Sequence, residues 1–299
     1  MTADPPILCA GSALWDIIAR TERSMRPGHD VPGRILHQLG GVALNVALAL
    51  ARLDRRVELL SAVGRDTAGD GLLAQAVEAG IGCAHVTRTD GATDSYMAIE
   101  DGSGDVFAAV ADCVGLEQWG ETVLAPLRDG RLGSAARPWS GTIVLDGNFA
   151  TTLLDGLAID PAMAESRLAL VPASPGKAAR LATAMTHPQA TLYLNRIEAE
   201  ILCKAPLPSA PDAAMALVEL GAAHVLVTDS HRTAAAAKPG QLVIGTPPKV
   251  VSRTTTGAGD ALLAAHLDAT ARGADAQTAL DAALAAAAQH ISRGVAHDR

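Results

Sequence analysis

Short apolar runs at 7–10, 57–62, 142–145, 167–171, 191–194 and 224–228 recur along the chain, separated by segments with helical periodicity. A helix from Val42 precedes the second run and a helix over 68–79 follows it, setting a strand–helix–strand–helix rhythm. A strand that is apolar throughout is covered on both faces, and parallel strands need helical crossovers to bring the chain back. The pattern predicts a three-layer α/β/α sandwich around a mostly parallel sheet. Two segments break the rhythm with period-two alternation: 14–39, and 95–112 around Gly102-Ser103-Gly104, where a hairpin is expected. Together, over about 14–39 and 93–112, they are expected to form a small β-sheet lid on one domain spanning 1–299. The stretch 125–138 reads as a polar surface connection.

With 299 residues, 49% of them hydrophobic, the chain can bury a large core. Its net charge of −8, with no basic stripe or aromatic ladder, argues against a nucleic-acid polymer as partner. Cys9, Cys83, Cys113 and Cys203 lack a CxxC spacing, as expected of buried thiols in a reducing compartment. Residues 1–6 lack the basic and apolar regions of a signal peptide, and the alanine-rich stretch 279–288 is interrupted by Asp281, so no membrane association is expected and the location should be cytoplasmic. The nine histidines show no HExxH spacing, so no zinc site is expected.

Chemistry concentrates in two motifs. In Thr254-Thr255-Thr256-Gly257-Ala258-Gly259-Asp260, a Thr/Gly-rich turn opens a helix, whose free N–H groups and dipole attract an anion, and the first helical turn also carries a carboxylate. A carboxylate repels a lone phosphate, so the pairing suits a hydroxyl losing its proton beside a transferring phosphoryl group. Asp260 serving only the helix dipole is the alternative. Upstream, Gly40-Gly41 allow close backbone approach to a ligand, and Asn45, one turn into the following helix, can bond sugar hydroxyls. A tight turn with a satisfied amide explains the same residues. Asn195 and Glu198 lie at i and i+3 after a strand, a spacing that fits a ligand site at the sheet edge and a helix-capping box equally well.

In this order and spacing the two motifs resemble the two signatures of the ribokinase-like (PfkB) carbohydrate and nucleoside kinases. The segment 11–16, Asn195-Arg196-Ile197-Glu198 and the closing alanine-rich helix extend the resemblance over nearly the whole chain. Within that family, Thr93-Asp94-Ser95-Tyr96-Met97-Ala98-Ile99, the turn at 100–105 and Ala109-Val110-Ala111-Asp112 look most similar to pseudouridine kinases. The resemblance implies an ATP- and Mg²⁺-dependent kinase acting on the 5′-hydroxyl of a nucleoside, with a sugar such as ribose or a ketohexose as the alternative substrate. It implies Asp260 as catalytic base and Gly257, Ala258 and Gly259 as anion hole. Asp16, Gly40, Gly41 and Asn45 would hold the sugar, Ser95 and Asp112 the base edge. Asn195, Thr228 and Ser230 would border ATP, and Glu198 would hold the metal. Trp15 is expected in the lid core or against the ligand, and lids of this family often join two copies into a homodimer. Solvated-strand and turn polarity remain the alternatives for Asp16, Ser95 and Asp112.

The chain departs from the family pattern at four places. Thr254 stands where the family usually has Asp in a loop that often binds a monovalent cation, so potassium dependence does not carry over. Thr228-Asp229-Ser230-His231-Arg232-Thr233 lacks the two glycines of the usual ATP loop, and Asp229 adds a negative charge. Weak ATP binding, or a regulatory ligand-binding role on a kinase scaffold, is the corresponding expectation. Leu14 replaces a common Asn, and Leu44 replaces the Arg that pseudouridine kinases tend to show.

Overall fold

The computed structural model describes residues 5–26, 28–101, 106–251 and 256–293. The chain begins with β1 (Ile7–Ala10), β2 (Leu14–Arg20), β3 (Arg34–Gly40), α1 (Val42–Ala51) and β4 (Val57–Leu60). It continues through β5 (Ala62–Gly64), α2 (Thr67–Glu78), β6 (Thr87–Thr89), β7 (Ser95–Glu100), β8 (Val106–Asp112) and α3 (Gly115–Leu124). The second half holds β9 (Thr142–Asp146), α4 (Thr151–Leu157), β10 (Arg167–Val171), β11 (Ala190–Asn195), α5 (Arg196–Cys203) and α6 (Ala210–Glu219). Last come β12 (His224–Thr228), β13 (Ala234–Lys238), β14 (Gln241–Gly245), α7 (Ala258–Ala271) and α8 (Ala276–Arg293).

The large sheet has eight strands in the order β14-β13-β12-β11-β10-β9-β1-β4. The six strands from β12 to β4 run parallel, and the β13–β14 hairpin closes one edge antiparallel. Central residues such as Leu8, Ile143, Leu145 and Leu170 are inaccessible to solvent, as strands covered on both faces require. One face packs with α3–α6 and the other with α1, α2, α7 and α8, so the three layers predicted from the apolar runs are present. The run at 57–62 divides, however. Ser61 bonds the carbonyl of Gly11 through its hydroxyl at 2.6 Å, and the chain turns from β4 in the large sheet to β5, paired only with β6. The segment after α3 is not a purely polar connection either, since Pro126 and Leu127 are buried in the core.

A separate four-stranded sheet, β3-β2-β7-β8, stands beside the carboxyl ends of the large one. Strands β2 and β7 pair in parallel, which brings the two alternating segments into one sheet. The expected turn at Gly102-Ser103-Gly104 lies outside the described residues. By strand alternation Asp16 and Tyr96 share one face of this sheet, and Met97, Ile35 and Val110 share the other. Trp15 anchors it to α2, donating its indole N–H to Ala68 O at 2.8 Å. The sheet feeds α1 through Gly41, whose φ of 90° is a left-handed conformation that glycine adopts without penalty.

A Cβ on Gly41 would lie 2.5 Å from Ser12 O. Gly41→Ala is therefore expected to destabilise the fold by about 1–3 kcal/mol through strain alone, seen in urea unfolding as a lower midpoint with an unchanged slope. An unchanged midpoint would show that the turn relaxes freely.

Candidate functional site

The chain leaves β1 toward β4 on one side, while β9 leads away on the other, so the strand order switches between β1 and β9. In α/β sheets the crevice outside the carboxyl ends at such a switch is where ligands bind. Asp146, the last residue of β9, is fully buried there. Its Oδ2 accepts from Ser12 N at 2.7 Å and Ser12 Oγ at 2.8 Å, and its Oδ1 accepts from Asn148 N at 3.0 Å. Ser12 Oγ in turn accepts from Val42 N at 2.9 Å and from the Asn148 side chain at 3.0 Å. One hydroxyl thus joins the end of β1, the end of β9 and the start of α1. Gly11 belongs to the same packing, since a Cβ there would fall 2.4 Å from Asp146 Oδ2.

Helix α7 starts at this crevice. Gly257 caps it at φ 80°, and its first intrahelical bond runs from Ala261 N to Gly257 O at 3.0 Å. The N–H groups of Gly257, Ala258 and Gly259 precede that bond and have no acceptor within the helix, which leaves them for an anion. His290 of α8 braces the turn, donating from Nε2 to Thr256 O at 2.9 Å. Thr254 and Thr255 lie outside the described residues, as does the cation-loop position.

Asp260, in the first turn of α7, has the Asn45 side chain of α1 beside its carboxylate. Protein surrounds this carboxyl densely, although it keeps some contact with solvent. Burial pushes it up to about 7; the neighbouring Asn45 amide opposes the rise, and the charges of Asp146 and Asp16 add to it. Asp16 lies on the site-facing side of β2 against Gly40, where a Cβ would stand 2.4 Å from the Asp16 carboxyl carbon. Gly40 is what leaves space for that carboxyl. Burial lifts Asp16 to about 6.

Ser95 and Asp112 pair across β7 and β8, and by strand alternation they fall on the face of Met97 and Val110 rather than on that of Asp16. Asp112 is exposed, and the stronger feature beside it is Asp94. Burial raises Asp94 to about 6, while the N–H of Gly115 at 3.2 Å and the ammonium of Lys177 oppose the rise and Asp112 reinforces it. Lys177 donates to the side-chain carbonyl of Asn148, linking this acidic group to the Ser12–Asp146 network. Sequence reasoning assigned no role to Ser12, Asp94, Asp146, Asn148 or Lys177. A polar residue at the end of an apolar run is a signal that could have picked out Asp146 and Asn148; for Lys177 there is none.

Asn195 and Thr228 end β11 and β12 side by side farther along the same edge. Of the two readings of Asn195 and Glu198, a capping box is present: Asn195 Oδ1 accepts from Glu198 N at 3.0 Å, and Glu198 Oε2 accepts from Asn195 N at 2.9 Å. Glu198 is buried, which raises its carboxyl above the usual range. No group of three or more His, Cys, Asp or Glu among the described residues is arranged to hold a metal, so Glu198 would need oxygens from a bound phosphate or water to complete a Mg²⁺ shell.

The glycine-free loop is built differently from the expectation of bare negative charge. Arg196 Nε lies 3.3 Å from Asp229 Oδ1 as an ion pair, without the alignment of a hydrogen bond. Arg232 N closes the turn onto Asp229 O at 2.9 Å. Ser230 takes φ 54°, the left-handed region that favours glycine. The charge of Asp229 is countered, and the backbone turns as a glycine would let it.

The chain belongs to the pfkB family of carbohydrate kinases, whose model matches residues 5–298. It is similar to a carbohydrate kinase from Agrobacterium tumefaciens, at 29% identity and a TM-score of 0.79, over 95% of this chain and 89% of that one. The ribokinase of Arabidopsis thaliana, solved with ribose and ATP, has the same fold at 20% identity, with a TM-score of 0.76 over 96% of this chain and 93% of that one. A pseudouridine kinase of Escherichia coli (strain K12) is 34% identical over 107 residues, which span 36% of this chain and 34% of that protein. No described helix is long and apolar enough to cross a membrane.

Asp260 sits at about 7 in the fold, against an ordinary 3.8, so the fold favours its neutral form. Stability is then lost as pH rises from about 4 through 7 and the carboxyl ionises in place. Asp260→Asn is expected to raise stability at pH 8 by about 1 kcal/mol or more and to change it little at pH 3.5, where the acid is already protonated. Thermal unfolding at both pH values reads this, and equal shifts at the two would contradict the burial of the charge.

Proposed function

We propose that this chain is an ATP-dependent kinase that phosphorylates the primary 5′-hydroxyl of a nucleoside, with pseudouridine as the first candidate. The observation that carries this reading is Asp260, a carboxyl raised to about 7, beside Asn45 and set among the open N–H groups of a helix start. A base poised near neutral pH can take the proton of an attacking hydroxyl, and amides beside it can hold the charge on the phosphoryl group in flight. Asp16, with Gly40 and Gly41 leaving backbone room, would accept the vicinal ribose hydroxyls, and Asn45 would orient the sugar beneath Asp260.

Pseudouridine is attached through carbon, so its ring carries two N–H donors. The acceptor Asp94, with Lys177 nearby, suits such an edge, and the similarity to a pseudouridine kinase supports the choice. ATP would extend along the ends of β11 and β12 past Asn195, Thr228 and Ser230. Mg²⁺ bound with ATP would neutralise the polyphosphate, with Glu198 the carboxylate at hand on that edge. The small sheet would act as the lid of a single kinase unit. Its outer face exposes Ile35 (67%), Met97 (46%) and Val110 (69%), which supports a homodimer through the lid. The sugar-kinase alternative draws on the family as a whole, and the glycine-free loop favours a binding protein with weak ATP affinity. The Arg196–Asp229 pair argues against that last reading.

A panel of nucleosides and sugars assayed for ATP-dependent ADP release tests the reading. Asp260→Asn is expected to lower turnover by roughly two to four orders of magnitude; near-wild-type turnover would remove the base assignment. kcat/KM should rise with pH through about 7, as Asp260 loses its proton. Asp16→Ala should raise KM far more than it lowers kcat, because ribose bonds form in ground and transition states alike. A pure kcat loss would move Asp16 into the chemistry.

A further inference from the structure

A cavity of about 410 Å³ opens at the other end of the large sheet, where strands β9, β10 and β12 begin. Its volume falls within the roughly 300–1,000 Å³ usual for small-molecule sites. Small side chains create it: Ala169 and Ala236 on the sheet, and Ala271, Ala274 and Ala276 around the α7–α8 turn, leave the wedge between them unfilled. Catalysis as proposed above makes no use of this space, which lies toward the far end of α7 from Asp260.

The lining is chemically one-sided. Arg167 and Lys238 stand at the rim, and neither forms an ion pair with a described residue; Arg167 makes only a long 3.4 Å contact with Thr142 Oγ1. His224 joins them, and no carboxylate lines the cavity. Of the acids next in sequence to lining residues, Asp275 is turned to the start of α8, where it accepts from Thr278 N at 2.8 Å, and Asp268 is paired with Arg55 and Arg272. Two unpaired cations around an apolar hollow are unexpected in a chain of net charge −8. Inside, Tyr193 and His266 meet edge to face, with ring centroids 5.5 Å apart and Tyr193 Oη 2.8 Å from His266 Nδ1. Burial holds His266 down to about 4, so the ring is neutral at physiological pH.

We propose that this cavity is a second ligand site, for a small organic anion with a flat apolar body: the ring system against Ala169, Ala236 and His266, the carboxylate, sulfonate or phosphate at Arg167 and Lys238. Apolar contact supplies affinity and the cationic rim selects for charge. The proposal does not depend on the identity of the kinase substrate.

The dye 8-anilino-1-naphthalenesulfonate is a suitable probe, titrated by fluorescence against the full-length protein. The native chain should bind one equivalent. The rim variant Arg167→Glu/Lys238→Glu, which alters only exposed side chains, should bind at least tenfold more weakly, and Ala274→Trp, which fills the hollow, should lose binding. Asp16→Ala, at the opposite end of the sheet, should bind as the wild type does. The uncharged analogue N-phenyl-1-naphthylamine should bind less tightly than the sulfonate and be indifferent to the rim charges. No binding by the wild type, undiminished affinity in the rim variant, or loss of binding in Asp16→Ala would each overturn the proposal.

Discussion

The hydroxyl of Ser12 holds the site together. It donates to the buried carboxylate of Asp146 and accepts from Val42 N and the Asn148 side chain, so β1, β9 and α1 are tied at the strand-order switch. A buried carboxylate is tolerable only with such partners, and Asp146 has Ser12 N, Ser12 Oγ and Asn148 N. Helix α1 takes its start from the same residue, and its start sets where Asn45 points. Asn45 meets Asp260, and through it the network reaches α7. The two motifs at 40–53 and 254–260 are therefore parts of one constellation.

That constellation works against folding. Asp16, Asp94 and Asp260 are all raised by burial, and like charges add to the rise at Asp94 and Asp260. Each carboxyl would be more comfortable in water, which is the pattern of a site held for chemistry at the expense of stability. Among the described residues Lys177 brings a positive charge to the Asp94 side of the group, and it is fixed by Asn148. On the proposed reading a metal ion bound with the phosphate would supply the remaining countercharge.

Much of the fold was legible because parallel strands carry their own signature. The runs at Ile7–Ala10, Arg167–Val171 and His224–Thr228 stand where the apolar pattern put them. The β13–β14 hairpin was missed for a physical reason: Ala234–Lys238 is nearly all alanine, which has low strand propensity, and it is held by pairing between β12 and β14. At the site, Asp260, Asn45 and Asp16 were readable as local motifs, and the structure gathers them. Ser12 and Asp146 were not, because their bond joins residues 134 positions apart and each looks like ordinary polarity at a strand end. Asn195 and Glu198 show the opposite limit: one spacing encodes a cap and a ligand pair equally, and the capping bonds are present whichever role is added.

The position of the transferred phosphate tests the account most directly. If Asp260 deprotonates a primary hydroxyl held over Asp16, phosphorus-31 NMR of the product from ATP and pseudouridine should show a phosphomonoester split into a triplet by two methylene protons, formed in step with ADP. A phosphorus coupled to a single proton, as from a secondary hydroxyl, or an ATP signal unchanged with every nucleoside and sugar offered, would contradict it.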